Sequence, residues 1–266
     1  MKFMNVDDID VCYRVAGVGP PLVLIMGLTA NMDWWDPDLI DALAERFEVL
    51  VFDNRGAGRT VAPEDGDFSC EQFADDTAGL MDALGIQHAH VLGMSMGGMI
   101  AQEFALRHPE KLDRLVLCCT FPGGANTVHA DREVFKILMD RSGTPEELFE
   151  RTLTIMFPSA WLETHGEYVE GFKERFLRAP ASDHNAVRQF MATVSFDAYD
   201  RLPEICAPTL IACGDSDVLI PPVNSRTIGE RIPGSRLAEY PGAGHAFINQ
   251  AREEFLADLL DFLEAG

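Results

Sequence analysis

Two four-residue runs, Leu22-Val23-Leu24-Ile25 and Leu115-Val116-Leu117-Cys118, limit this chain's possible folds more than any other feature. Neither alternates with polar residues, so a strand built from either presents apolar side chains to both sides. Only a strand inside a sheet covered on both faces can bury two such sides. Short apolar runs of the same kind predict strands over 9–15, 21–25, 48–52, 89–92, 112–119, 209–213 and 235–239. Amphipathic patterns predict helices over 37–47, 70–84, 96–108 and 252–263. Strand–helix alternation of this kind predicts an α/β protein, with a mostly parallel twisted sheet flanked by helices.

The alternation stops between Phe121 and about Ser195. Helical patterns follow one another there, over 131–141, 145–156, 167–177 and 183–194, with no convincing strand. The interruption follows the C-terminal end of a strand, where α/β proteins place their ligands. Residues 122–195 are therefore expected to form a helical cap over a core made of 1–121 and 196–266.

Charge excludes several partners. The 266 residues hold 21 basic and 43 acidic side chains, a net of −22. Such a surface repels phosphate backbones and anionic membranes, so neither nucleic acid nor membrane is an expected partner. With only four lysines, it fits either an ordinary solvated acidic surface or adaptation to high salt. The six cysteines form no C-x-x-C pair and mostly fall in apolar runs, which reads as buried thiols in a reducing compartment. Asp7, Asp8 and Asp10 stand where a secretory signal would carry positive charge. A cytoplasmic enzyme is the expectation.

The chemistry is concentrated at Gly93-Met94-Ser95-Met96-Gly97, which joins the apolar strand at 89–92 directly to the helix at 96–108. A strand that turns straight into a helix strains the residue at the bend and projects its side chain from the sheet edge. Residues two before and two after it come too close for a Cβ, and both are glycine here. Ser95 also stands at a helix N-terminus, where free N–H groups favour developing negative charge.

A serine needs a base, and the base needs a group to orient it. Of the seven histidines, only His245 lies in a loop just after a late strand, within Gly242-Ala243-Gly244-His245. His88-x-His90 has alternate spacing on a strand but no accompanying carboxylate or cysteine cluster, so no metal is expected there. The acid should leave the end of another strand. Asp215 and Asp217 both follow the strand at 209–213, and Asp217 is preferred because it sits deeper in the loop. The strand ending Cys118-Cys119-Thr120-Phe121 offers no carboxylate.

With these residues in place, the chain resembles the α/β-hydrolase superfamily over nearly its whole length outside the insertion. The order Ser95, Asp217, His245 is the one that superfamily uses. Asp53-Asn54-Arg55-Gly56-Ala57-Gly58 looks like the family's turn after a core strand, and Met26-Gly27-Leu28 occupies the place of its oxyanion loop. Met26 replaces the usual histidine, which leaves open how that loop is braced.

The resemblance implies a carboxylesterase that forms an acyl-enzyme at Ser95, with the Leu28 and Met96 N–H groups holding the oxyanion. It implies a small-molecule ester or lactone substrate and no cofactor. The stretches 97–102 and 108–114 resemble bacterial enol-lactonases. A 3-oxoadipate enol-lactonase-like enzyme, a carbon–carbon bond hydrolase and a perhydrolase therefore stand as alternatives, as does a non-catalytic member of the fold. Epoxide hydrolases and haloalkane dehalogenases need a carboxylate where Ser95 stands. Leu28, Trp34, Met94, Phe121, Met156, Phe157, Trp161, Leu219 and Phe247 are candidates for an apolar pocket, each also readable as core.

Overall fold

The computed structural model describes residues 1–265. One sheet holds β1 (Lys2–Val6), β2 (Ile9–Ala16), β3 (Pro21–Ile25), β4 (Glu48–Phe52), β5 (Ala89–Met94), β6 (Leu112–Cys118), β7 (Thr209–Gly214) and β8 (Arg236–Tyr240). Across the sheet the order is β1-β2-β4-β3-β5-β6-β7-β8. β1 and β2 pair antiparallel, as do β2 and β4, and every later pairing is parallel. The order reverses direction between β3 and β5, so the loops leaving those two strands diverge and open a crevice.

The two apolar runs are used as their composition demands. Val23, Ile25, Leu115 and Leu117 enter one core, against Phe73 of α2 (Cys70–Leu84) and Phe104 of α3 (Met96–Arg107). Leu22, Leu24, Val116 and Cys118 enter the core on the opposite face. There they meet Leu39 of α1 (Pro37–Ala44) and Leu259 of α11 (Arg252–Glu264).

Five helices separate β6 from β7: α4 (Arg132–Met139), α5 (Pro145–Met156), α6 (Ser159–Leu162), α7 (Gly166–Phe176) and α8 (Asp183–Ser195). Their chain leaves and re-enters the sheet at one point. Gly123 and Asp197 bridge there, and the Ala198 N–H donates to the Pro122 carbonyl at 2.9 Å. Phe149, Leu153, Phe172 and Phe176 form a separate small core inside the insertion.

Several elements depart from the sequence reading. β1 was not expected, because as an edge strand it buries only Val6 and carries little apolar pattern. α9 (Val223–Arg231) and α10 (Phe247–Gln250) were likewise unmarked; α9 buries a single large apolar residue, Ile228. α1 stops at Ala44, three residues short of the expected end. All six cysteines are free, five of them buried and Cys206 exposed.

The turn after β4 is held by ion pairs. Arg55 is almost fully buried, and its guanidinium donates to both Asp76 oxygens at 2.7 and 2.6 Å and to Asp8 at 2.8 and 3.1 Å. Removing one member of a buried pair leaves the other charge uncompensated, at a cost of about 3–5 kcal/mol. Arg55→Ala should therefore lower unfolding stability in urea by about that amount. A loss under about 1 kcal/mol would show that the pair is not what holds this turn.

Candidate active site

Five loops converge at the carboxyl edge of the sheet. Met26-Gly27-Leu28 follows β3, Ser95 follows β5, Cys119 follows β6, Asp217 follows β7 and His245 follows β8. The first two flank the crevice where the strand order reverses.

Ser95 has φ 59° and ψ −120°, a conformation that a residue with a side chain adopts only at a cost of order 1–3 kcal/mol. The surroundings enforce it. A Cβ on Gly93 would overlap the Gly97 carbonyl, and one on Gly97 would overlap the Ile25 carbonyl. α3 thus lies directly on the backbone of β5 and β3. The Ser95 N–H donates to the Cys118 carbonyl at 2.9 Å, and Thr120 Oγ1 donates to the Ser95 carbonyl at 2.9 Å. Held on both sides, the Ser95 side chain stands over Gly27, where a Cβ would meet Ser95 Cβ at 3.0 Å and Oγ at 3.4 Å.

His245 and Asp217 are brought together. His245 Nδ1 lies 2.8 Å from Asp217 Oδ2, with both side chains buried. Asp217 Oδ1 accepts from the Leu219 and Ile220 N–H groups at 2.8 and 2.9 Å, which aims the carboxylate. Asp215 is turned outward instead, accepting from Gly242 N–H and the Ser216 hydroxyl. Ser95 and His245 line one cavity. Among the described residues, the Ser95 hydroxyl makes no hydrogen bond, His245 included; such contacts are commonly long in free enzymes.

Burial acts to lower the His245 pKa, but the Asp217 carboxylate outweighs it, and the ring ends well above its ordinary 6.5. Cys119 Sγ, the Asp217 carboxylate and a His245 ring nitrogen lie within 4.8 Å of one another. This is the one such histidine, cysteine and carboxylate cluster among the described residues. Burial pushes the Cys119 thiol up to about 11, so it sits beside the ring as a neutral group at pH 7. His88 pairs with Asp113 at the surface, whereas His90 is buried with its ring against Phe47.

The loop after β3 and the start of α3 offer free donors. The Leu28 N–H meets no acceptor among the described residues, and Met96 holds the first position of α3, whose leading amides have no intrahelical partner. Without a histidine, the loop is braced by residues the sequence reading passed over. Asn54 Nδ2 donates to the Met26 carbonyl at 2.8 Å, and Gln189 Oε1 accepts from the Thr29 N–H at 2.8 Å. Gln189 Nε2 also donates to the Arg55 carbonyl at 2.9 Å. Asn54 lay within a recognised turn, but nothing local marked Gln189, which is 160 residues from Thr29.

The cavity measures about 850 Å³. Of the expected lining, Leu28, Trp34, Met94, Phe121, Met156 and Leu219 are present. Phe157 and Trp161 stack on each other in the insertion's own core, and Phe247 stacks on Tyr240 beneath the sheet. Seven of the chain's eleven methionines line the cavity, including Met26, Met94, Met96 and Met99. Its charged lining residues Arg141 and Asp183 are paired to each other at 2.6 Å.

Fold and site together define the class. The chain belongs to the alpha/beta hydrolase fold family, whose sequence pattern matches residues 20–250. It is 30% identical over 262 residues to "Putative carbamate hydrolase RutD" of Azorhizobium caulinodans, covering 98% of both chains. Among solved structures, it is 27% identical to the enol-lactonase from Burkholderia xenovorans LB400, with a TM-score of 0.86 and 98% and 99% of the two chains covered. It is 25% identical to a thermophilic esterase from Thermogutta terrifontis, with a TM-score of 0.83 and 100% and 99% covered. Among the described residues, no helix is long and apolar enough to cross a membrane.

The His245 pKa gives a direct test. In Asp217→Asn the carboxylate charge is gone while burial remains, so the ring should titrate below its wild-type value in ring-nitrogen NMR; an unchanged value would mean Asp217 does not set it. Because the folded value is raised, the pair's contribution to stability is fully present below about pH 6.5. It is lost as pH rises through the folded value.

Proposed function

We propose that the protein is a serine hydrolase that cleaves carboxylic esters of small, largely apolar substrates through an acyl-enzyme. The observation that carries this reading is Ser95 on its strained bend, inside an apolar cavity shared with a histidine already oriented by a buried carboxylate.

Ser95 Oγ turns to His245 Nε2 and gives up its proton as it bonds to the ester carbonyl carbon. The carbonyl oxygen takes the electron pair and accepts from the Leu28 and Met96 N–H groups, each worth about 3–4 kcal/mol to the transition state. As the intermediate collapses, the C–O bond to the alcohol breaks and His245 returns the proton to the leaving oxygen. A water then repeats the sequence, with His245 as base, and releases the acid. Asp217 keeps Nδ1 protonated, so that Nε2 is the basic nitrogen. The insertion acts as a cap, supplying the outer wall and limiting water.

The lining favours a neutral substrate. Methionine is flexible and polarisable, so a methionine-rich wall adapts to many apolar outlines. With Arg141 tied to Asp183, the lining holds no free arginine or lysine for a substrate carboxylate, and the chain's net −22 disfavours anions further. This weighs against an enol-lactone bearing a carboxylate. A carbamate or neutral lactone carbonyl would undergo the same attack, and the names of the relatives keep lactonase and carbamate hydrolase as the second reading.

A fluorophosphonate should label Ser95, and Ser95→Ala should abolish both labelling and hydrolysis of short nitrophenyl esters, with kcat down by about 10⁴-fold or more. No labelling would point to a non-catalytic binding protein. Labelling with turnover of enol-lactones or carbamates alone would overturn the ester assignment.

A further inference from the structure

α4 is unusual for a helix of a folded protein because none of its residues is buried. Yet it is amphipathic, with Phe135, Leu138 and Met139 at i, i+3 and i+4 on one side. α8 faces it with two differently used sides. Gln189 and Ala192 are fully buried towards the sheet, whereas Val187, Phe190, Met191 and Val194 recur at helical spacing on the side facing the cavity. The Phe135 and Phe190 rings meet edge to face, with centroids 5.7 Å apart.

Five of these side chains remain open to solvent: Phe135 at 43%, Met139 at 38%, Val187 at 52%, Met191 at 55% and Val194 at 60%. Isolated exposed apolar residues are ordinary, but a contiguous set marks a surface that something covers. Here the set is continuous with the cavity that holds Ser95 and His245, which is lined by all of these residues.

We infer that the slot between α4 and α8 is the subsite for a long unbranched alkyl or acyl chain of the substrate. The chain's ester group sits at Ser95 and its tail runs out along Val187, Met191 and Val194. This rests on the reading of the site as an ester hydrolase. From Val187 to Val194 the helix advances about 10 Å, comparable with an extended octanoyl or decanoyl chain. A substrate chain fits better than a bilayer: the apolar stripe is the wall of a cavity, and a chain of net charge −22 is repelled by anionic lipid. Val187 and Met191 thus decide chain-length preference, taking no part in the bond-breaking step.

The test compares nitrophenyl acetate, butyrate, octanoate and decanoate on the wild-type protein and on Val187→Asp and Met191→Asp, both at exposed positions that fold readily. Each buried methylene strengthens binding about three- to fourfold, so wild-type kcat/KM should rise at least about tenfold from butyrate to octanoate. In each variant, the octanoate-to-acetate ratio of kcat/KM should fall at least about tenfold through KM; the ratio is insensitive to a general loss of active protein. An unchanged ratio in both variants, or no gain with length in the wild type, would overturn the subsite. Methyl decyl ketone, which has no ester to cleave, tests the slot independently by calorimetry. Tight binding to the wild type, weakened about tenfold or more in Met191→Asp, supports the slot even if no ester is turned over, and that result would count against the ester reading alone. No binding to the wild type would overturn the slot.

Discussion

The contact between α3 and the backbone of β5 and β3 underlies the arrangement at the sheet edge. Carbonyl oxygens of Gly97 and Ile25 occupy the space where Cβ atoms on Gly93 and Gly97 would be. That approach leaves the chain no relaxed route from strand to helix, so Ser95 takes a positive φ. The same approach brings the leading amides of α3 beside the loop after β3. Ser95 and those amides are thus placed by a single packing event. The hydrogen bonds from Ser95 to Cys118 and from Thr120 to Ser95 keep the strained bend from relaxing.

The loop after β3 illustrates how a turn is held from a distance. Asn54 reaches across from the end of β4 to hold the Met26 carbonyl. Gln189 holds the other side of the loop and, through Arg55, the turn that α2 and the N-terminal hairpin also grip. The insertion is therefore fastened to the loop by a buried amide, with its apolar face left to line the cavity. One helix, α8, serves both purposes because a 3.6-residue period gives it two usable sides.

Much of this arrangement was legible from local pattern. The continuous apolar runs required a sheet covered on both faces, and the glycine spacing around Ser95 required a tight strand–helix bend. Helix boundaries within the insertion were visible where periodicity was clear, as over 145–156, the span that α5 occupies. β1 and α9 escaped notice for the opposite reason: elements that bury one large side chain leave little periodic trace. Asp217 could be preferred over Asp215 on loop depth, but what separates them is that Asp215 spends its carboxylate on the next loop.

Residue order alone determined the layered architecture, the position of the strand–helix bend and the chain order of Ser95, Asp217 and His245, because each depends on short-range spacing and burial. Only the tertiary structure decided which apolar residues line the cavity and which fill a core. Phe157 and Phe247 are as apolar as Phe121, and their different places follow from which element packs behind them. It also decided that Asn54 and Gln189 brace the loop after β3 and that Cys119 sits beside His245. Those contacts join segments up to 160 residues apart, and no spacing rule along the chain encodes a meeting that depends on how five loops converge at one sheet edge.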